Sequence, residues 1–354
     1  MWCLFGPPRL DLNLQHEELR LAGIVVGMAT HAVIHDDKNE KILIGMRDGL
    51  TGSFQLCARK DATVSVFDSN FLVGDGIWEG LRVNQGKVQF ARAHLDRLFQ
   101  SAKAMAMDLA ITKRELLALI HETVDANKMG ASDSIHVRLV VSRGLKSTPY
   151  QNPRVNLGRP LIVIIPEFKL ADPVAKARGL RLVTSHIRRG TPDVKDEMWN
   201  HISKATDIQA CIGSNVVGAD EALMLDVHGF VKTCNSTNFF IVRDGVVWSP
   251  TRAYQMQGIT RAVTIKLCRE NAIPVVETDF TLTEAYGADE AFCTGTFPSH
   301  IPVVEIDGRK IGEGRGIGPV TERISMLYKK LVEADTGRSR QVILAEVDSK
   351  ASRL

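Results

Sequence analysis

Two near-continuous apolar runs constrain this chain most: residues 135–144 (IHVRLVVSRG) and residues 160–168 (PLIVIIPEF). Runs of this kind are typical of strands buried within a sheet. Ahead of them, apolar residues recur at helical spacing, which predicts helices at 91–107 and 112–128. A short strand is predicted at 64–67 (VSVF). Together these elements predict a first unit of mixed strands and helices.

A polar stretch at 169–178 (KLADPVAKAR) separates this unit from the rest of the chain. Beyond it we predict hairpins at 221–233 and 238–249, the second with an Asp-Gly turn, and a helix at 259–271. A chain of 354 residues is longer than one ordinary core fills, so we predict a two-domain protein of the α/β (α+β) class. The predicted limits are an N-terminal extension of unclear role at 1–60, a small α/β domain at 61–170, a large domain at 171–340 and a tail at 341–354.

The charge balance points to a small-molecule partner. A net charge of +3 over the whole chain is too small to favour nucleic acid or a membrane. No run approaches the roughly 20 apolar residues of a membrane helix, and the first twenty residues lack the pattern of an export signal. The six cysteines form no CxxC pair, which suits a reducing compartment, so we predict a cytoplasmic protein.

Several residues are candidates for binding an anion. Gly258 and Thr260 stand at the start of a predicted helix (QGITR), where they either cap the helix or leave its N–H groups free for a ligand. Arg97 is either an edge charge on its helix or a clamp on an anion. Arg138 and Arg143 share a buried-looking strand, which favours an acidic ligand. Strand alternation points them to opposite faces, and we favour Arg143 for the ligand because it borders a loop.

Five segments resemble, in this order along the chain, the fold-type IV pyridoxal-phosphate (PLP) enzymes: SVFDSNFLVGDGIWEGLRVNQGKVQFARAHLDRL, IHVRLVVSRG, GADEALMLDVHGFVKTCNSTNFFIVRDGVVWSP, QGITR and EAFCTGTFPSHIPVVEIDG. This family includes branched-chain aminotransferases, D-amino-acid aminotransferases and aminodeoxychorismate lyase. The resemblance covers residues 64–331. It implies a smaller N-terminal α/β domain, a larger C-terminal pseudo-barrel domain that binds PLP, and a homodimer. No metal site is predicted.

The resemblance also implies roles for individual residues. Those that match the ligands of the PLP phosphate are Arg97, Ile259, Thr260 and Thr296, while Ser236 and Thr237 fall beside the cofactor ring. Trp78 matches an aromatic residue that faces the substrate. Arg138 falls where branched-chain enzymes carry an arginine, and Arg143 where D-amino-acid enzymes and the lyase carry one. The substrate therefore stays open between these classes.

The lysine that binds the PLP aldehyde is the main question in this sequence. Ungapped counting from the flanking motifs reaches Asn200, which has no amine. If Lys204 is the lysine, the helix that follows it begins four residues later than the family pattern. Four residues rotate the helix by only about 40°, so the apolar face formed by Ile208, Cys211, Ile212 and Val216 would be kept. Lys195 requires a larger rotation. We predict Lys204, with Lys195 and the absence of a catalytic lysine as alternatives.

Thr233 is a second departure from the family pattern, which has a glutamate there to keep the ring nitrogen of PLP protonated. A threonine offers only a neutral hydrogen bond. The predicted activity is a PLP-dependent aminotransferase acting on a branched-chain-like or D-amino acid and a 2-oxo acid. A PLP-dependent lyase and a non-catalytic relative that binds PLP or a metabolite are the alternatives.

Overall fold

The structure, a computed structural model, describes residues 33–34, 36–171 and 173–349. Within these ranges the α-helices are α1 Ser69–Val73, α2 Ala91–Ala104, α3 Lys113–Ala126, α4 Pro173–Arg178, α5 Ala205–Val216, α6 Ile259–Glu270, α7 Leu282–Tyr286, α8 Pro319–Gly337 and α9 Arg340–Glu346. None of the helices in the described ranges combines the length and apolarity needed to cross a bilayer.

The strands form three sheets. They are β1 Val33–Ile34, β2 Leu43–Arg47, β3 Phe54–Ala58, β4 Gly76–Asn84, β5 Lys87–Val88, β6 Ile135–Ser142, β7 Leu161–Phe168, β8 Leu170–Ala171, β9 Leu180–Thr184, β10 Glu221–Leu225, β11 Val231–Cys234, β12 Asn238–Arg243, β13 Val246–Ser249, β14 Val275–Glu277, β15 Glu290–Gly295, β16 Ser299–Ile306 and β17 Arg309–Lys310. The smallest sheet pairs β1 with β8.

The first large sheet is antiparallel, in the order β3-β2-β7-β6-β4-β5. The two apolar runs of the sequence form its central strands, β6 and β7, as predicted. One face of the sheet packs on the apolar sides of α2 and α3, where Leu98 and Leu116 are fully buried. The predicted helix at 112–128 is α3, and its first turn is fixed by a reciprocal capping box between Thr112 and Glu115.

The second large sheet closes on itself. Its strands run β11-β10-β9-β16-β15-β12, and β11 pairs with β12 again through Thr233 and Asn238, so six strands form a ring. The interior of the ring is an apolar core that includes Leu223, Phe239 and Ile301. The predicted pseudo-barrel domain is confirmed. β13 and β14 extend the sheet beyond β12, and α6 and α8 pack on its outer side.

The strand predicted at 64–67 was wrong. Residues 64–67 form an irregular segment and a turn, and Val66 and Phe67 are exposed. The segment is fixed by isolated contacts, with the Lys146 N–H donating to the Phe67 carbonyl at 2.9 Å. An apolar sequence alone did not distinguish this exposed loop from a strand.

The predicted domain limits stay a prediction, but two segments lie on the small domain although they fall outside 61–170. β2 pairs with β7, from Gly45 opposite Ile164 to Arg47 opposite Ile162, so β2 and β3 extend the first sheet. α9 places Ile343 in the core of the same domain. Residues 1–32 of the predicted extension and 350–354 of the predicted tail lie outside the described residues.

Candidate active site

Lys204 lies where the two domains meet. The preceding segment runs antiparallel to β4, because the Trp78 N–H donates to the Asn200 carbonyl and the Ile202 N–H donates to the Gly76 carbonyl, both at 2.9 Å. Lys204 follows as the residue before α5. Its Nζ lies 5.7 Å from the centroid of a Trp78 ring. The chain therefore brings the predicted lysine to the predicted aromatic residue.

Arg138 shares the same tryptophan. Its guanidinium carbon lies 3.7 Å from the centroid of a Trp78 ring, close enough for a cation–π contact. β4 and β6 are neighbours here, with Arg138 opposite Gly80 and Trp78 opposite Val140. Lys204, Trp78 and Arg138 thus form one cluster of two cations around an indole.

Burial lowers the pKa of the Lys204 amine below its ordinary value. The positive charges of Lys195 and Arg189 add to this lowering, while the carboxylates of Asp207 and Glu197 oppose it. An amine with a lowered pKa is more often unprotonated at neutral pH, and the unprotonated form is the one that attacks as a nucleophile or accepts a proton.

Lys195 has different surroundings. Its Nζ donates to Thr206 Oγ1 at 2.9 Å and lies 3.3 Å from a Glu197 oxygen and 3.8 Å from a carboxylate oxygen of Asp207. These contacts hold it as a member of an ion-pair network beside the Lys204 loop. The position reached by ungapped counting is occupied by Asn200, which is buried and has its backbone N–H 3.4 Å from Ser101 Oγ.

The apolar face that we predicted for α5 does not face the core. Ile208, Ile212 and Val216 are 55%, 57% and 80% exposed. The helix packs instead through small and polar side chains, with Ala210 against β10 and Asp207 against Arg189. The rotation argument for Lys204 therefore rested on the wrong face, and the position of Lys204 follows from the pairing of residues 200–202 with β4.

Thr233 is bound to a buried arginine that sequence reasoning missed. Arg189 donates from Nε to Thr233 Oγ1 at 2.9 Å, from Nη1 to Asp207 Oδ1 at 2.7 Å and from Nη2 to the Cys234 carbonyl at 2.9 Å. Although burial opposes it, Arg189 and the nearby lysines hold the pKa of Asp207 below its usual range. The sequence showed Arg189 only as part of the motif HIRR, with no sign of its partners.

Ser236 and Thr237 both donate their hydroxyl protons to the buried Glu221 carboxylate, the second at 2.6 Å. The Glu221 carboxylate and the thiols of Cys234 and Cys293 lie within 4.8 Å of one another, a donor set that suits a soft divalent ion. However, burial and the neighbouring Cys293 raise the pKa of the Cys234 thiol, which disfavours the thiolate that a metal requires.

The start of α6 carries no capping side chain, since its N-cap is Gly258. A Cβ at this position would collide with Oδ1 of Asn238. The first N–H groups of the helix, those of Ile259 and Thr260, are therefore left for a ligand. Thr260 is buried, and its carbonyl accepts a hydrogen bond from the Thr264 hydroxyl at 2.8 Å.

Arg97 lies at the mouth of this helix. It donates from Nη1 to the Gln257 carbonyl at 3.0 Å, directly ahead of Gly258. Its other side grips Glu79, with Nε at 2.8 Å and Nη2 at 2.6 Å from the two carboxylate oxygens. The helix start and the guanidinium together form a positive site suited to a phosphate.

Thr296 lies half-buried in the turn between β15 and β16. The loop is adjacent to Thr237, since a Cβ on Gly295 would lie 3.5 Å from its methyl group. Beside it, the buried Oγ1 of Thr294 has no hydrogen-bond partner among the described residues.

Arg143 lies apart from the Lys204 cluster. It forms an ion pair with Asp75, with Nε 2.6 Å from Oδ2, and donates from Nη2 to the Met105 carbonyl at 2.8 Å. It lies just past the end of β6, so the alternation argument does not apply to it. Our preference for Arg143 as the ligand arginine conflicts with these contacts, which favour Arg138.

Comparison with known proteins gives a consistent family. Residues 76–306 match the model of the family described as amino-transferase class IV. The chain is 39% identical over 297 residues to a branched-chain-amino-acid aminotransferase-like protein 2 of Arabidopsis thaliana, a match that covers 84% of this chain and 51% of that protein. The chain thus spans about half the length of that relative.

Two further matches cover nearly the whole of the other protein. A putative branched-chain-amino-acid aminotransferase of Methanocaldococcus jannaschii is 38% identical over 290 residues, which are 81% of this chain and 96% of that protein. The T.th. branched-chain amino acid aminotransferase, solved with N-(5'-phosphopyridoxyl)-L-glutamate, has a TM-score of 0.73 and 29% identity, covering 85% of this chain and 96% of that chain.

Proposed function

The chain belongs to the class IV aminotransferase family, and on that basis we propose that it is a PLP-dependent aminotransferase. It moves an amino group between an amino acid, branched-chain-like or D-configured, and a 2-oxo acid. The observation that carries this proposal is the Lys204 amine, which has a lowered pKa and lies 5.7 Å from the centroid of a Trp78 ring, the side chain that Arg138 also contacts.

The residues fit PLP at two points. The uncapped start of α6 and the Arg97 guanidinium provide N–H donors and positive charge for its phosphate, and Thr296 adds a hydroxyl from the next loop. Lys204 provides an amine for its aldehyde. When bound, PLP supplies a reactive carbonyl and a conjugated ring that spreads negative charge. The phosphopyridoxyl ligand of the T.th. relative supports the same cofactor here.

Lys204 holds and moves the substrate proton in this mechanism. Because burial lowers its pKa, the Lys204 amine is more often unprotonated. Its Nζ can then accept the proton from the α-carbon of the amino acid and later return it. Its location one residue before α5, on a loop paired to β4, fixes Nζ next to the Trp78 ring. The indole excludes water from one side of the reacting atoms.

Arg138 binds the substrate carboxylate in this proposal. It lies exposed on β6 over the tryptophan that Lys204 also approaches, whereas Arg143 is held by Asp75 and by main-chain carbonyls. Replacing Arg138 with Met should raise the Michaelis constant for the amino acid about 10-fold or more, since a charge-assisted hydrogen bond contributes about 1.5–3 kcal/mol. Arg143→Met is the matched variant and should leave that constant within about 2-fold. Equal effects of the two variants would contradict this assignment.

The decisive experiment identifies the lysine. Protein loaded with PLP is reduced with borohydride, digested and mapped by mass spectrometry. We expect the fixed label on Lys204, its loss in Lys204→Ala and its retention in Lys195→Ala. A label on Lys195 would reject the assignment. If PLP binds but no lysine is labelled, the result would favour the non-catalytic alternative. That alternative arises because ungapped counting places Asn200, which has no amine, at the position of the lysine.

A half-reaction screen then separates the remaining activities. Single L- and D-amino acids are added to the PLP-loaded protein, and the cofactor absorbance and the released products are followed. An aminotransferase converts the cofactor to its amine form and releases a 2-oxo acid without free ammonia. Free ammonia, or pyruvate released from an amino acid other than alanine, in the absence of an acceptor acid would identify the lyase.

We propose a homodimer with one interface on α5. Ile208, Ile212 and Val216 recur at every fourth residue and form an exposed apolar stripe that no described residue covers. A second apolar patch lies ahead of β4 and includes Phe67, in a turn, and Phe71, in α1. Both surfaces adjoin elements that carry Lys204 or Trp78, so a second copy would complete the surroundings of the site.

We also propose a reducing compartment, the cytoplasm, as its location. The described cysteines are all unpaired, including Cys234 and Cys293, whose sulfur atoms lie 3.6 Å apart without a bond. Mass analysis after alkylation of freshly lysed cells should find free thiols at both positions. A disulfide in that sample would contradict this proposal.

A further inference from the structure

Arg189 has all three of its nitrogens engaged by fixed partners. Nε donates to the Thr233 hydroxyl at 2.9 Å, Nη1 to the Asp207 carboxylate at 2.7 Å and Nη2 to the Cys234 carbonyl at 2.9 Å. Arg189 is buried, and it joins the end of β11 to the first turn of α5. A guanidinium held at three points cannot turn without breaking several bonds.

The direction of the bond to Thr233 follows from chemistry. A guanidinium has only donors, so the Thr233 oxygen must accept. The hydroxyl proton of Thr233 is then directed elsewhere, and none of the described residues accepts it. Because Thr233 is buried, this donor requires an acceptor from a ligand.

The two carboxylates that pair with Arg189 lie on its far side from Thr233, because Asp207 and Glu197 approach Nη1 at 2.7 and 3.5 Å, whereas Thr233 is bound to Nε. Although burial opposes it, Arg189 holds the pKa of Asp207 below its usual range, so Asp207 is ionised at neutral pH. Its position is also wrong for direct contact with the same ligand atom, because Arg189 lies between Asp207 and Thr233. The guanidinium's positive charge, one hydroxyl away, further disfavours a protonated ligand nitrogen.

We propose that Arg189 is a positioning residue that makes the Thr233 hydroxyl an obligatory hydrogen-bond donor, and that this donor holds the ring nitrogen of PLP without a proton. The inference rests on the proposed function. It adds that the ring withdraws electrons weakly, so removal of the α-proton by Lys204 limits the rate. A large isotope effect with α-deuterated amino acid is the kinetic consequence.

The test is nitrogen NMR of protein loaded with PLP that carries ¹⁵N in the ring. We expect the wild type to show the resonance of an unprotonated pyridine, hydrogen bonded and unchanged from mildly acidic to mildly alkaline pH. In Arg189→Met the positive charge is lost while Asp207 remains, so the resonance should move toward the protonated position. Arg188→Met is the matched control and should match the wild type, because Arg188 is exposed and, among the described residues, donates only to the Ser185 carbonyl.

A second variant guards against misfolding of Arg189→Met. Thr233→Val keeps the shape and the arginine, so the ring nitrogen should stay unprotonated but lose the shift caused by its hydrogen bond. PLP affinity should fall by about 2- to 10-fold, as expected for one lost hydrogen bond.

The outcomes separate this inference from the proposed function. PLP fixed on Lys204 with a protonated ring nitrogen in the wild type would overturn the inference alone. An unchanged resonance in Thr233→Val would overturn it as well. Failure of PLP to bind would overturn both proposals.

Discussion

Removal of Arg97, which we propose binds the PLP phosphate, tests whether the same residue also supports the fold. Its partner Glu79 is fully buried and accepts from Arg97 Nε at 2.8 Å and Nη2 at 2.6 Å, with His94 Nδ1 at 2.8 Å as its other contact. In Arg97→Met the aliphatic stem remains but the charge is lost. From the sequence alone we expect this variant to bind PLP less tightly. The structure predicts in addition that the PLP-free form of the variant is less stable.

The magnitude follows from the burial of the pair. Breaking a buried ion pair by removing one partner costs about 3–5 kcal/mol because the other charge is left uncompensated. The His94 contact remains, so we expect the lower end, about 3 kcal/mol. That is a large part of the roughly 5–15 kcal/mol by which a typical domain is stable.

The loss should depend on pH. In the wild type, burial alone would raise the pKa of Glu79, but Arg97 and then His94 hold it below its usual range. Without Arg97 burial dominates, and the pKa of Glu79 in the folded variant lies above its unfolded value. The folded variant then favours the neutral acid, so its deficit is full above that raised pKa and shrinks as the pH falls through it.

The assay is urea unfolding of PLP-free protein at neutral and mildly acidic pH, in a double-mutant cycle with Glu79→Gln. Arg97→Met/Glu79→Gln should be more stable than Arg97→Met because a neutral amide needs no counter-charge. A loss below about 1 kcal/mol in Arg97→Met would place the pair among weak surface bridges. The reasoning would also be refuted if Arg97→Met/Glu79→Gln were no more stable than Arg97→Met.

Three further changes test the site and its surroundings. Lys195→Met removes a positive charge that lowers the pKa of Lys204, so that pKa should rise. The rate at which PLP attaches to the PLP-free protein should then reach its maximum at a higher pH, and an unchanged pH–rate profile would contradict the effect of Lys195 on Lys204. Gly258→Ala places a methyl group against Asn238 Oδ1, so the free energy of unfolding should fall by about 1–3 kcal/mol and PLP should dissociate more easily, whereas unchanged values of both would show that the helix start tolerates a Cβ. Ile212→Ser lies at the centre of the exposed α5 stripe and should shift sedimentation toward the monomer, while an unaltered dimer would remove α5 from the interface.

Local patterns made much of the fold predictable. The helix predicted at 112–128 forms as Lys113–Ala126, because its apolar spacing and its Thr112 and Glu115 cap act within a few residues. The strand predicted at 64–67 was wrong because the apolar side chains there are exposed. The local sequence does not show whether another part of the protein will cover a side chain.

Residues of the candidate site could be predicted where they belong to sequence motifs. Those whose partners are distant in the sequence could not. Lys204 and Trp78 were predicted from sequence and lie together. Arg189 meets Thr233 across 44 residues and Asp207 across 18, and no periodicity reports such pairs. The ion pair that bears on the choice between Arg143 and Arg138 was hidden for a related reason, since the Asp75 that holds Arg143 is 68 residues away.

The docking of α9 on the first domain sets an order of events during synthesis. Arg340 donates to the Gly86 carbonyl across 254 residues, and Ile343 fills a place in the core between that sheet and its helices. At about 5–20 residues per second, a ribosome needs on the order of 10–50 s to make the intervening chain. Throughout that interval the nascent small domain exposes an apolar gap, and a chaperone that binds such surfaces would meet it before the second domain is complete.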